Sequence, residues 1–334
     1  MKKYKICMVG SGYMAGKHCN VIKNSDLAVL SALVVSPNSF NSDEFKSEFG
    51  ISSLYRELIH ALENEKIDIV FIASPNNLHS EQIIASLQAK KHVFCEKPLA
   101  YTREEFDRIK CTLEDSSNIL QIGMNCRYRE QYTIPKKILD NGEIGELKYL
   151  RATYNFDLTD SVKNREKTWW SDFPENIYYY LHSGAIHALD LIRWIGGEIE
   201  ETFAMGNAFE LKKDWGKDTF IINVQFKNGA IGEITCSASA FKPPDFNLEI
   251  WGTKGSISGR NVYKKVNGKI ESAAFEVVQN KMDLLLQLED MIFAIENNYK
   301  PMNSFDEAQK NLDFITAIEK SIIENKPIKI SREN

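Results

Sequence analysis

An apolar run, Ile6-Cys7-Met8-Val9, breaks into Gly10-Ser11-Gly12-Tyr13-Met14-Ala15 and continues as a helix-compatible stretch over residues 15–22. Strand, glycine turn and helix in that order restrict the fold more than any other feature, because each small residue of G-x-G-x-x-G/A answers a steric demand. Gly10 permits the tight turn, Gly12 lets a pyrophosphate approach the backbone, and Ala15 lets helix and strand pack closely. The positive end of the helix then faces the phosphates, with Ser11, Tyr13 and Met14 beside them. The same motif without its strand and helix would carry little weight.

The pattern around the turn repeats it. Strand-like runs at 5–9, 28–35, 67–73, 92–95 and 119–123 alternate with helical spacing over 53–63, 78–89 and 103–114, as in Ile83, Ile84 and Leu87. Such alternation predicts right-handed crossovers and a parallel sheet. Near Asn125 the pattern changes: a helix at 133–140, a strand at 147–155, an irregular aromatic stretch at 169–180, and a helix at 183–195 stopped by Gly196-Gly197. Runs at 220–226 and 230–240 flank Lys227-Asn228-Gly229, a hairpin signal, and 246–251 and 255–258 continue as short strands, which predicts an antiparallel sheet. The chain closes with helices, one opened by the capping pair Ser304 and Glu307. The expected class is α/β: a nucleotide-binding domain, residues 1–124, then an α+β domain with a large open sheet, residues 125–334, whose closing helix packs back on the first.

A chain of 334 residues is long enough for two buried cores, and its formal net charge of −5 is spread without a basic block. No nucleic-acid or membrane partner is expected. The apolar run behind the two opening lysines is too short for a signal peptide or a span, which makes a cytoplasmic location the expectation. The six cysteines have no C-x-x-C spacing and several lie in apolar runs, so reduced core thiols are expected, with no metal site.

Ligands of an open parallel sheet bind beyond the carboxyl ends of its strands. Three such ends are rich in polar groups: the glycine turn; Ser74-Pro75-Asn76, with His79 following; and Glu96-Lys97-Pro98. Ser74 and Asn76 are candidate cofactor contacts, and His79 either joins them or caps the helix it begins. Oxidising a secondary alcohol moves a hydride to a nicotinamide and the hydroxyl proton to a base. A lysine serves only if burial or a neighbouring positive charge lowers its pKa from ~10.4 toward neutrality. A charged lysine also holds and polarises a substrate oxygen, so both roles stay open for Lys97.

These motifs together resemble the Gfo/Idh/MocA family, named for glucose-fructose oxidoreductase, inositol dehydrogenase and a rhizopine-catabolism protein. The resemblance spans nearly the whole chain. Beyond the three strand ends it includes Asn125-Cys126-Arg127-Tyr128, Gly142-Glu143-Ile144-Gly145, His187-Ala188-Leu189-Asp190, Gly252-Thr253-Lys254-Gly255 and Asp306-Glu307-Ala308. Glu-Lys-Pro followed about ninety residues later by His-x-x-Asp is its most specific part. The resemblance implies a Rossmann domain, an open and mostly antiparallel sheet domain, NAD or NADP, and hydride transfer on a sugar, cyclitol or nucleotide sugar. It also implies homodimers or homotetramers associating through the sheet.

Carried over by position, Lys97 is the active-site lysine, its bond to Pro98 is often cis in relatives, and His187 is the general acid/base. Glu96 joins the cofactor contacts. Arg127, Asn155, Trp170, His182, Ser183 and Asp190 line or support the substrate pocket, with Asp190 one helical turn beyond His187. For Arg127 an interdomain salt bridge is the competing role. Two positions depart from the family. Many relatives place an aspartate where this chain has Ser183, next to His182. After the second strand, Ser36 stands where an NAD enzyme has an acid for the ribose; it removes the charge that would repel a 2′-phosphate, yet no arginine directly follows to attract one. NAD is favoured over NADP. Trp169, Trp170 and Phe173 with Tyr178, Tyr179 and Tyr180 offer faces for a sugar ring or base, or else pack an irregular connection or subunit interface. The alternative from another class is a dinucleotide-binding regulator or sensor that does not turn over.

Overall fold

The computed structural model describes residues 3–37, 39, 41–163, 178–211, 216–279 and 281–330. The chain divides into two compact units, one of Met1–Asn125 with Lys281–Gln309 and one of Cys126–Asn280 with Lys310–Asn334.

The first unit is built on strands β1 (Tyr4–Val9), β2 (Ala28–Val34), β3 (Ser53–Tyr55), β4 (Ile69–Ile72), β5 (His92–Cys95) and β6 (Leu120–Ile122), in the order β3-β2-β1-β4-β5-β6. Every pairing is parallel. All four residues of β4 are buried, as a strand covered on both faces requires. The strand order reverses direction between β1 and β4, the crevice where a doubly wound sheet binds its ligand. Helix Tyr13–Lys23 lies on one face through Ala15, Cys19 and Ile22, and helix Asp283–Asn297 shares that core through Leu284, Leu288, Met291 and Ile292. Helix Arg103–Glu114 begins with a reciprocal capping box between Thr102 and Glu105.

Local pattern and structure disagree at 53–63. That stretch, expected as one helix, is the short strand β3 and helix Leu58–Asn64. Three residues are too few to reveal a period; pairing of Val34 with Tyr55 makes them a strand. Helix Ser42–Phe49 was not anticipated, because its apolar residues reduce to Phe45 and Phe49, one turn apart with ring centroids 4.8 Å from each other.

The second unit contains β7 (Leu147–Asn155), β8 (Ile199–Asn207), β9 (Thr219–Phe226), β10 (Ile231–Ser237), β11 (Leu248–Gly252), β12 (Gly255–Ser258), β13 (Asn261–Val266), β14 (Lys269–Ala274) and β15 (Ile328–Lys329). Their order is β14-β13-β12-β11-β7-β10-β9-β8-β15, antiparallel except for β7 against β10. Asn228 closes the β9–β10 hairpin, its side chain accepting from the Ala230 N–H at 3.0 Å. Helix Ile186–Gly196 covers one sheet face, and a Cβ on Gly196 would stand 2.4 Å from the Phe226 ring, so only glycine permits that approach. The other face carries exposed Met205, Ile221, Ile231 and Trp251.

The helix expected at 183–195 is two helices, Tyr179–Ser183 and Ile186–Gly196, meeting at Gly184 and Ala185. Tyr179 and Tyr180, expected in an irregular stretch, belong to the first of them. The six cysteines are free thiols, five buried and Cys111 exposed. Among the described residues no helix is long and apolar enough to cross a membrane.

Candidate active site

At the end of β1, Gly10 takes φ +108° and donates its N–H to the Val34 carbonyl at 2.8 Å. A Cβ there would lie 2.4 Å from the Ala73 carbonyl oxygen, so both conformation and space demand glycine. Gly12 differs: it is the N-cap of helix Tyr13–Lys23, and a Cβ on it would meet no protein atom within 4 Å. No side chain caps this helix and no acid stands in its first turn. Amide donors and the positive helix end therefore face open space, a cradle for an anionic group that only a residue without a side chain leaves clear. Ala15 is fully buried, Met14 half-buried and Tyr13 exposed. The Ser11 hydroxyl lies 3.1 Å from that of Ser39, in the loop after β2. Ser36 is exposed, and its carbonyl accepts from Arg56 at 3.1 Å.

Beyond β4, the Ser74 hydroxyl donates to Gln82 at 2.6 Å, and buried Asn76 donates to the Tyr101 hydroxyl at 3.2 Å. Pro75 precedes a single 3₁₀ turn, Asn76–Leu78. His79 neither caps the helix with its side chain nor reaches the surface. It is fully buried, with Nδ1 2.8 Å from the Pro98 carbonyl oxygen and Nε2 3.0 Å from that of Ser74. Burial depresses its pKa, and the two carbonyls partly oppose this. His79 thus joins the loop after β4 to the loop after β5 rather than presenting a nitrogen to a ligand.

Glu96 is also buried, and its carboxylate meets Nε2 of His18 at 2.8 Å. His18 stands on helix Tyr13–Lys23, edge-on to Phe94 and Phe71. A Cβ at Gly123 would come within 3.0 Å of the same carboxylate. The glycine-turn helix and the lysine loop are therefore tied by a buried pair. Sequence reasoning missed His18; its one available signal is a place one turn beyond Ala15, on the helix face that packs against the sheet. Lys97 follows, half-buried, and its bond to Pro98 is cis.

In the second unit, Arg127 is buried and paired within its own unit. Its Nε and Nη2 donate to Asp190 at 2.8 and 2.6 Å, a bidentate geometry. Asn311 donates to Asp190 at 2.8 Å and accepts from Arg193 at 2.7 Å. Asp190 thus anchors helix Ile186–Gly196 one turn beyond His187, which is largely buried with its ring 5.7 Å from that of Tyr154. His182 is buried, its Nε2 3.3 Å from Glu319, and Ser183 ends the preceding helix. Trp169, Trp170 and Phe173 lie outside the described residues.

Asn155 ends β7 and donates to Asp245 at 3.4 Å. Burial alone would raise the Asp245 pKa, but the Lys242 ammonium and donors from Thr153, Asn247 and Asn155 pull it from 3.8 to about 2. Folding therefore gains from this carboxylate above its unfolded pKa and loses that gain as pH falls through the folded value. Asp245→Asn is expected to show a stability deficit that is constant from pH 7 to about 5 and narrows below about 4. Denaturant midpoints across that range check it; a deficit independent of pH would refute the assignment.

The parallel sheet, the glycine cradle at the end of β1 and the lysine at the end of β5, two strands away, define a dinucleotide-binding oxidoreductase domain. Residues 4–124 match the model of an oxidoreductase family with an NAD-binding Rossmann fold, and residues 134–258 match the GFO/IDH/MocA C-terminal domain. Myo-inositol 2-dehydrogenase of Thermotoga maritima is 32% identical over 268 residues, covering 77% of this chain and 75% of that protein. scyllo-Inositol 2-dehydrogenase (NAD(+)) of Bacillus subtilis is 25% identical, covering 76% and 72%. A levoglucosan dehydrogenase solved with NADH shares the fold at a TM-score of 0.89, covering 99% of this chain and all of that one at 21% identity. The chain belongs to the Gfo/Idh/MocA family of oxidoreductases.

Proposed function

We propose that this chain is an NAD(P)-dependent dehydrogenase that moves a hydride between the nicotinamide and a secondary alcohol or ketone of a sugar, cyclitol or nucleotide sugar, with NAD favoured. The observation that carries the reading is the placement of Lys97 at the end of β5, in the same sheet as the open cradle at Gly12. Similarity to inositol dehydrogenases points to polyol rings. The two inositol dehydrogenases and the levoglucosan dehydrogenase named above support an enzyme that turns over rather than a sensor.

Residues 1–124 hold the dinucleotide and residues 125–334 the substrate. Gly10 to Met14 would hold the pyrophosphate, with Ser74, Pro75 and Asn76 along the neighbouring wall, and a nicotinamide held there would supply the hydride chemistry. Lys97 and His187 hold the substrate oxygen and move its proton, with Asp190 and Arg127 fixing the helix that carries His187. His182 and Asn155 complete the polar surroundings. A homodimer or homotetramer associating through the exposed face at Ile221, Ile231 and Trp251, in the cytoplasm, belongs to the same reading; light scattering on the purified protein tests the assembly.

Following reduced-nicotinamide absorbance with myo-inositol, scyllo-inositol, aldoses and nucleotide sugars, each with NAD and NADP, tests the activity. No turnover with any of them by a protein that binds dinucleotide would refute it. Gly10→Ala is expected to destabilise the fold by more than about 2 kcal/mol, since it combines a left-handed backbone with a backbone clash. Gly12→Val keeps thermal stability but weakens dinucleotide binding at least tenfold, because its methyl groups occupy the cradle. Thermal melts and cofactor titrations separate the two; normal binding by Gly12→Val would contradict the assignment.

A further inference from the structure

We infer that Arg56 is a binding residue for the 2′-phosphate of an adenosine ribose, so that the site takes NADP(H) as well as NAD(H). The inference rests on the dinucleotide reading above and adds a selectivity that the residues after β2 do not reveal in sequence. Where an acidic side chain follows the second strand it accepts from the ribose hydroxyl and repels a phosphate. Here β2 is followed by Val35 and Ser36, which carry no charge.

Pairing of β2 with β3, Val34 against Tyr55, brings Arg56 to that same edge although it lies twenty residues further along the chain. One terminal nitrogen of its guanidinium donates to the Ser36 carbonyl at 3.1 Å and the other to the Ser42 hydroxyl at 3.3 Å. Neither partner is charged. Asp43 and Glu44 open the adjacent helix, yet among the described residues no carboxylate forms an ion pair with Arg56. A cation is thus fixed by neutral acceptors, exposed to solvent, with donors to spare and its charge uncompensated. Ser42 is buried and passes its own hydroxyl proton to the Ser39 carbonyl at 3.5 Å, and the Ser39 hydroxyl lies 3.1 Å from that of Ser11 in the glycine turn, which ties the arginine's support to the cradle. An exposed planar donor fork suits a phosphate monoester dianion, while the hydroxyls of Ser11 and Ser39 serve an unphosphorylated ribose.

The test is a titration of the purified protein with NADPH and with NADH, read by calorimetry, for the wild type, Arg56→Ala, Arg56→Lys and Ser36→Asp. The wild type is expected to bind both. Arg56→Ala should raise the ratio of the NADPH Kd to the NADH Kd about ten- to a hundredfold, the range of a lost hydrogen-bonded charge contact. Arg56→Lys, which keeps the charge without the fork, should fall between, and Ser36→Asp should raise the ratio by restoring the repelling acid. An unchanged ratio in folded Arg56→Ala overturns the inference. So does a wild type that binds NADH and not NADPH, which leaves the dinucleotide reading standing. Binding of neither by the folded wild type overturns that reading and this inference with it.

Discussion

Lys97→Met is expected to reduce turnover by about 10²- to 10⁴-fold, the usual worth of a positioned acid-base group, while the protein folds normally. The substitution suits the place. Lys97 is half-buried after β5, and a methionine occupies the space of its alkyl stem without its charge. The neighbouring loops keep their internal ties, because His79 holds the Pro98 and Ser74 carbonyls and His18 holds Glu96. Lys97→Arg sharpens the test: a guanidinium keeps the charge but does not give up its proton near neutrality. If Lys97 only polarises the substrate oxygen, arginine preserves much of the rate; if it moves a proton, arginine fails like methionine. Rates with the preferred substrate, with circular dichroism and cofactor titration as controls for folding and binding, decide it. A folded Lys97→Met enzyme turning over normally would end the proposed role.

The second large effect is on stability. Arg127→Leu is expected to cost about 3–5 kcal/mol, because it strands a buried carboxylate that has lost a bidentate partner. Asp190 is 1% exposed, and among the described residues Asn311 alone would remain as its donor. Replacing both partners, Arg127→Met with Asp190→Leu, should recover much of the loss, since the expense lies in the unpaired charge and not in the missing pair. The single variant should also slow catalysis, because Asp190 sits one turn from His187 on the same helix. Chemical denaturation of the two variants, with kcat measured on the folded fraction, tests both claims. A stability loss below about 1 kcal/mol for the single variant would show that water relieves the stranded carboxylate.

The elements legible in the sequence share a trait: their signals are local. The glycine turn, the helices following β4 and β5 and the Asn228-Gly229 hairpin each depend on contacts a few residues long. Helix Ser42–Phe49 escaped because it is mostly polar, and β3 because three residues show no period. The hairpin joining β13 to β14 did have a signal, Asn267-Gly268, with φ +49° and +82°, but β14 is exposed along its whole length and lacks the alternation that marks a strand. At the site, residues at strand ends could be named, and their duties could not. His79 and Arg127 each have two duties open in sequence, a ligand contact or a structural tie, and the structure shows His79 against two backbone carbonyls and Arg127 against Asp190. Arg56, which no motif marks, arrives at Ser36 through strand pairing.

The sequence alone determined the two-part architecture, the dinucleotide cradle and the lysine beyond the fifth strand, because backbone sterics and hydrophobic periodicity act over short separations. The tertiary structure alone decided which charges meet: His18 with Glu96, Arg127 with Asp190, Arg56 with the loop after β2. It also decided that helix Asp283–Asn297 shares a core with helix Tyr13–Lys23. Such pairs are set by the order of strands in a sheet and by which faces need covering. Both are properties of the whole packed unit, and no run of neighbouring residues encodes them.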